Sequence, residues 1–352
     1  MLFDKLSVVW KAHLLIGFGV VCLWAGQALA EVPDHHAHHS HEGKFSDPAV
    51  LTPVPEGWSE RPIQHLPKYQ DADLVLSLGQ QSHPLFNDLI AQYAREHKLN
   101  IVVEHGTCGI TSGRLLKKKV DVGSFCCPVG ADDRLPGLKF YSIGISPIAL
   151  VVHPDNPLQN VTTAQAKEIF AGQISNWSEI SPGVNQLIKP VGRLHCKTRP
   201  GHWRALLKNE DEFSPRLFEV GVIGDMISQV SRSASSIGWE TPLMLDVYQD
   251  KGDVKVLDID GHSPSDIDYV LTGKYPLYRS YSLSAWTTKN KINDEAIKLI
   301  NYLRQHVEKV HAEIGFIPVS RLKAAGWKFL GDELVGEPGM DAAATDMSHH
   351  GH

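Results

Sequence analysis

From residue 73 to about residue 320, short apolar runs alternate with segments of helical period. Leu74-Val75-Leu76-Ser77-Leu78 reads as a buried strand, and Gly79 to Pro84 turns it into a helix whose Leu85, Phe86, Leu89, Ile90 and Tyr93 share one face. Ser82 and Pro84 fit the start of that helix. Ile101-Val102-Val103 predicts a second strand, Gly106-Thr107-Cys108-Gly109 opens a helix through Leu115 and Leu116, and Val120-Asp121-Val122-Gly123 predicts a third strand closing on Cys126-Cys127-Pro128. Strand-helix alternation implies parallel βαβ units, which bind ligands beyond the carboxyl ends of their strands. The cysteine-bearing loops fall on that edge.

Further along, Ile148 to Val152 reads as a buried strand and Thr162 with Gln165 as a capping box, its helix stopped at Gly172. Val191-Gly192-Arg193 leads through His195 to Trp203 into a helix expected to carry Leu206 and Leu207. A last long helix is expected over Asp294 to Ile314.

The ends differ from this middle. Lys5 and Lys11, the apolar run Leu14 to Ala25 and Ala28-Leu29-Ala30 form an export signal with cleavage expected after Ala30. Residues 31–72 carry His35, His36, His38, His39 and His41, then Pro48, Pro53, Pro55, Pro62 and Pro67, and read as a His-rich tail and extended linker. Residues 331–352 read as a flexible tail with His349, His350 and His352. The expected product is periplasmic, with no stable membrane insertion after cleavage.

Composition narrows the function. A chain of 352 residues that is 42% hydrophobic can build a full core, and 34 Lys and Arg against 40 Asp and Glu argue against nucleic acid as a partner. Of 19 histidines, eight lie in the two tails, where imidazoles are either a solvated low-complexity tract or a loose metal reservoir. The four cysteines beyond the signal are Cys108, Cys126, Cys127 and Cys196, in a compartment where thiols can pair. Two readings of them stand. One is a disulfide framework, with one of Cys126 and Cys127 reaching Cys108 and the other Cys196. The other is a soft-ligand site of three or four sulfurs assisted by His195 or His202, taking a thiophilic metal or metalloid such as Cu, Zn or an As(III)-like species. A thiol oxidoreductase using Cys126 and Cys127 is a further alternative. Arg114, Arg134 and Arg279 read either as anion contacts or, more commonly for such residues, as surface or hinge arginines, and Lys117-Lys118-Lys119 reads as a solvated helix end.

The succession Ile145-Ser146-Pro147-Ile148-Ala149-Leu150-Val151-Val152-His153-Pro154-Asp155-Asn156-Pro157, then Ile169-Phe170-Ala171-Gly172 and Asn176-Trp177, resembles the periplasmic phosphate-binding protein family, the type II solute-binding proteins of ABC importers. Ile237-Gly238-Trp239, Tyr275-Pro276-Leu277-Tyr278-Arg279 and Gly315-Phe316-Ile317-Pro318 follow in that family's order. The resemblance implies an α/β, two-lobed type II fold with mixed, mainly parallel sheets around a central cleft. Lobe 1 would hold residues 73–145 plus 276–330 and lobe 2 residues 146–275, the chain crossing near Ser142 to Pro147 and returning near Tyr275 to Ser282. It also implies an anion site of backbone N–H groups, hydroxyls and an arginine, here Ser82, His83, Thr107, Arg193 and Thr198. The chain departs from the family by placing Cys108, Cys126, Cys127 and Cys196 in these loops.

The sequence therefore points to an exported, monomeric, non-enzymatic solute-binding protein that needs no cofactor and delivers a small inorganic ligand to an ABC permease or a sensor kinase. The principal ligand expectation is the thiophilic metal or metalloid, held by the four cysteines with His195 and His202. The alternative is phosphate or a related oxyanion with the cysteines as disulfides.

Overall fold

The computed structural model describes residues 45–194, 205–288, 290–311 and 314–339. The export signal, both histidine tracts, His195, Cys196, Thr198 and His202 lie outside them. Two six-stranded sheets form two lobes around a central cleft. The first begins with β1 (Leu74–Gly79), α1 (Ser82–His97), β2 (Ile101–Gly106), α2 (Cys108–Leu116) and β3 (Val122–Phe125), in which β1 pairs in parallel with both β2 and β3. These are the expected βαβ units. Every residue of β1 is buried, as a strand covered on both faces requires.

β4 (Leu138–Pro147) follows, and β5 (Ala149–Val152) already belongs to the other sheet. The second sheet is completed by β6 (Asn160–Val161), β7 (Lys189–Gly192), β8 (Phe218–Glu219), β9 (Ser236–Glu240) and β10 (Lys255–Ile259), in the order β6-β10-β5-β9-β7-β8. Its helices are α3 (Thr163–Ala171), α4 (Ile223–Ser231), α5 (Pro242–Val247) and α6 (Ile267–Leu271). The chain returns along β11 (Tyr278–Trp286), then α7 (Lys291–His311), β12 (Ile317–Pro318) and α8 (Val319–Ala324). The first sheet thus reads β12-β4-β11-β3-β1-β2. β11 pairs antiparallel with β4 from Tyr278↔Pro147 to Trp286↔Leu138, and Ile148 N donates to Leu277 O at 2.8 Å where the strands leave the pair. The sheets are mixed because these long crossing strands run against the βαβ strands beside them.

Local chemistry explains the element ends. Thr162 and Gln165 close a reciprocal capping box on α3, and Gly172 ends that helix at φ 78°. Gly144 cannot carry a side chain, because a Cβ there would meet Ile317 O and the Phe316 ring where β12 crosses β4. Ser82 differs from its expected capping position: the residue before the helix is Gln81, in helical conformation with no side-chain cap, and Ser82 is the first helical residue. Leu206 and Leu207 are buried but lie in no α-helix among the described residues. The last long helix runs over Lys291–His311, three residues earlier at each end than expected.

Two stretches read as linker or tail are packed. Residues 45–72 form an extended strap on the first lobe. Trp58 is buried, its Nε1 donating to Leu116 O at 2.9 Å and its ring 5.9 Å from that of Trp286. Lys118 is not a solvated cation: it sits at φ 49°, its Nζ 4.5 Å from the Trp58 ring centre and bonded to Ser59 O and Arg61 O. At the other end, β13 (Lys328–Leu330) and β14 (Glu333–Gly336) form a hairpin. Glu333 within it takes a bidentate pair from Arg134 at 2.6 and 3.0 Å, and Arg134 also bonds Ser46 of the strap. Arg134 is therefore a buried structural arginine. Among the described residues no helix is long and apolar enough to cross a membrane.

Candidate functional site

The carboxyl ends of β1, β2 and β3 deliver three loops to one edge of the first sheet. After β1, Gly79 N donates to Ser124 Oγ at 3.0 Å, and the turn then presents Gln80, Gln81, Ser82 and His83. After β2, Thr107 caps α2 by accepting from Ile110 N at 3.3 Å, which puts Cys108 in the first turn of that helix. After β3, Cys126 and Cys127 follow directly. The second sheet contributes Arg193 beyond β7 and Glu240 at the end of β9.

These groups meet in a buried polar cluster that joins the lobes. Gln81 Nε2 donates to Glu240 Oε1 at 2.6 Å, Arg193 Nη1 to Gln80 Oε1 at 2.9 Å, and Arg193 Nη2 to Glu240 Oε2 at 3.0 Å. Tyr281 on β11 donates to Gln81 Oε1 at 3.3 Å, and Glu240 also accepts from Thr241 N at 2.9 Å. Arg279, the second residue of β11, is fully buried with Nε 4.0 Å from Glu240 Oε1 and Nη1 3.7 Å from Cys126 Sγ. It is neither a surface nor a merely hinge residue. Burial works against its charge, but the facing Glu240 carboxylate, together with the neighbouring Cys126, Cys127 and Tyr281, outweighs that and keeps it protonated.

Three donors in this neighbourhood lack hydrogen-bond partners: Arg279 Nε, Arg279 Nη2 and Ser82 Oγ. Buried guanidinium donors are ordinarily satisfied, and orphaned ones mark a place where an acceptor belongs. One carboxylate stands against two guanidinium groups, so the cluster is electropositive.

Cys108, Cys126 and Cys127 converge, and no disulfide joins them to one another. Their sulfurs all lie within 4.8 Å of one another, Cys108 and Cys126 at 3.4 Å, and Cys126 N donates to Cys108 Sγ at 3.4 Å. Cys108, Cys126 and Cys127 are 1%, 4% and 1% exposed. Hydrogen bonding to Cys108, together with burial, pushes the Cys126 thiol up to about 12, and the same two causes raise Cys127 well above the ordinary range. Both are protonated thiols at neutral pH.

Of the anion set drawn from the sequence, Ser82 and Arg193 lie in or beside the cluster and Thr107 caps the helix that carries Cys108. The His83 ring lies tilted against that of His105 with ring centres 3.8 Å apart, and burial followed by the neighbouring imidazole lowers its pKa. Sequence reasoning missed Gln80, Gln81, Glu240 and Tyr281, and weighed Arg279 only as one of three arginines that could touch an anion. The signal for Glu240 was a carboxylate closing the apolar strand Ser236–Glu240, where burial without a cationic partner would be prohibitive.

Residues 70–195 match a family described as the PBP superfamily domain. The chain is 24% identical over 258 residues to the phosphate-binding protein PstS of Bacillus subtilis (strain 168), covering 71% of this chain and 82% of that protein. It is 23% identical over 335 residues to protein SphX of Synechococcus elongatus, covering 82% and 93%. A putative phosphate ABC transporter substrate-binding protein with bound phosphate from Clostridium perfringens has the same fold at TM-score 0.60 and 18% identity, covering 70% of this chain and 99% of that one. The chain thus shares the two-lobed fold of a phosphate-binding protein, and the match to the PBP superfamily domain lies in residues 70–195.

Proposed function

We propose that the chain is an exported solute-binding protein whose cleft takes a tetrahedral oxyanion of the phosphate kind and hands it to a membrane importer. The observation that carries this reading is the fully buried Arg279, with two guanidinium donors lacking an acceptor; Ser82, next to Gln81 in the chain, has its hydroxyl in the same state. A compact anion accepting from these groups satisfies them in a site with excess positive charge. Glu240 supplies a buried acceptor, which suits an oxyanion still carrying a proton and disfavours one that carries none. The relatives support the same choice: PstS of Bacillus subtilis is named a phosphate-binding protein. The oxyanion therefore replaces the thiophilic metal as the principal reading. Binding needs no cofactor and no catalytic group, and closure follows from the ligand's preference for the state in which Gln80, Gln81, Arg193 and Glu240 meet. An oxidising compartment and an ABC permease as recipient belong to this proposal, supported by the export signal and by relatives of the phosphate-transport type.

Calorimetry on extensively dialysed protein, titrated with phosphate, arsenate and sulfate, tests it. Saturable binding of phosphate or arsenate at one site per chain, much weaker for sulfate, is the expected outcome. No heat and no thermal shift with any of the three would refute it.

A further inference from the structure

The oxyanion reading gives no role to the thiols of Cys108, Cys126 and Cys127, although three buried sulfurs that meet from two loops are more than packing requires. We propose that they form a thiolate site for a thiophilic divalent metal ion of the zinc kind. The inference rests on the placement of the sulfurs and not on the oxyanion reading.

Backbone geometry brings the sulfurs together. In an extended strand adjacent side chains point to opposite faces, but Cys126 and Cys127 follow the last residue of β3 in a bend that runs into Pro128, so both of their sulfurs reach that of Cys108. Cys108 comes from the other loop as the first residue of α2, where the positive end of the helix dipole suits a negative ligand. A zinc ion bonded to sulfur at about 2.3 Å sets its tetrahedral sulfurs roughly 3.8 Å apart. The Cys108 and Cys126 sulfurs are 3.4 Å apart and all three fall within 4.8 Å of one another, so small side-chain rotations place them on one face of such a tetrahedron. The fourth vertex belongs to a further ligand, which the three sulfurs do not specify.

Charge favours a divalent ion. On binding, each thiol gives its proton to solvent as its sulfur bonds the metal, so one divalent ion and three thiols yield a centre with a single negative charge and three released protons. No electron moves. Arg279 is fully buried beside this centre with Nη1 3.7 Å from Cys126 Sγ, and its guanidinium offsets that charge. A monovalent ion on the same three thiolates would leave two negative charges against one guanidinium. The Cys126 N–H donates to Cys108 Sγ at 3.4 Å, an outer bond that holds the ligand sulfur in place and takes up part of its charge. Because the sulfurs are buried, loading proceeds through the open cleft.

The test uses the full chain, reduced and anaerobic, with zinc and cobalt(II) salts as probes at one equivalent. The expected result is zinc X-ray absorption with three or more sulfur neighbours, sulfur-to-cobalt charge-transfer absorption, and protection of Cys108, Cys126 and Cys127 from an alkylating reagent that a chelator reverses. Cys108→Ser, Cys126→Ser and Cys127→Ser should each weaken zinc binding more than tenfold. Replacing the eight tail histidines by alanine should change the affinity for the first equivalent less than threefold. Zinc bound through nitrogen and oxygen alone with these thiols still reactive, or first-equivalent binding that disappears with the tail histidines, would overturn the proposal. The absorption and protection readouts use the unaltered chain, so they decide the matter even where a cysteine variant fails to fold. Failure of phosphate binding alone would leave the sulfur result standing, so the two readings fail separately.

Discussion

Arg279 Nη1 lies 3.7 Å from the sulfur of Cys126, so the guanidinium that faces Glu240 on one side meets the thiol cluster on the other. One residue of β11 therefore connects the electropositive part of the cleft to its sulfur-rich part. β11 reaches this place because it pairs with β4 on one side and with β3, the strand ending at Phe125, on the other.

Replacing Arg279 separates binding from architecture. Arg279→Met should weaken phosphate binding by roughly 10- to 100-fold or more, the equivalent of losing one or two charge-assisted hydrogen bonds of about 1.5–3 kcal/mol each. Arg279→Lys should restore little, because a point charge cannot reproduce the fork of donors. Calorimetric titration gives the affinity, and thermal melting reports how far Glu240, still paired with Arg193, tolerates the loss.

Raised thiols make stability depend on alkaline pH. Hydrogen bonding to Cys108 and burial lift Cys126 to about 12 and Cys127 well above the ordinary thiol value, so the native state keeps protons that the unfolded chain releases near its unperturbed value of 9.0. The unfolded state then binds fewer protons than the native one, and stability falls as pH rises. It should be complete below pH 9 and decline between about pH 9 and 12, by about 1.4 kcal/mol per thiol for each pH unit above 9. Urea midpoints at pH 7, 9 and 10 read this directly, and Cys126→Ala with Cys127→Ala should flatten the decline.

The proline-rich strap contributes to folding. Trp58→Ala removes a buried indole that packs on Trp286 and lies under Lys118, and should destabilise by about 3–5 kcal/mol, measured by equilibrium urea unfolding. A free linker would show almost no change.

The C-terminal hairpin closes the same lobe. Ending the chain after Leu330 strands Arg134, 4% exposed, without the Glu333 carboxylate that faces it at 2.6 Å. The expected cost is about 3–5 kcal/mol, with a clear fall in melting temperature, since breaking a buried pair leaves one charge uncompensated.

The sequence by itself determined the βαβ order of residues 74–125, the Thr162 to Gly172 helix with its caps, and the loops on which Cys108, Cys126 and Cys127 stand. These follow from local periodicity, capping chemistry and strand polarity, which act over a few residues. It also carried the family likeness through the Ile145 to Trp177 succession. What it did not determine was partnership across long separations. Glu240 meets Gln81 across 159 positions, Arg279 meets Cys126 across 153, and Glu333 meets Arg134 across 199. Such pairs arise only when β4 and β11 bring the two sheets together, because a charge in an isolated segment does not reveal whether it will be buried or what will face it. For the same reason Lys118 and residues 45–72 read as solvated until Trp58 was seen packed against the first lobe. Local pattern placed the thiols on a ligand edge, and the tertiary structure decided that three of them converge there, protonated, beside an arginine.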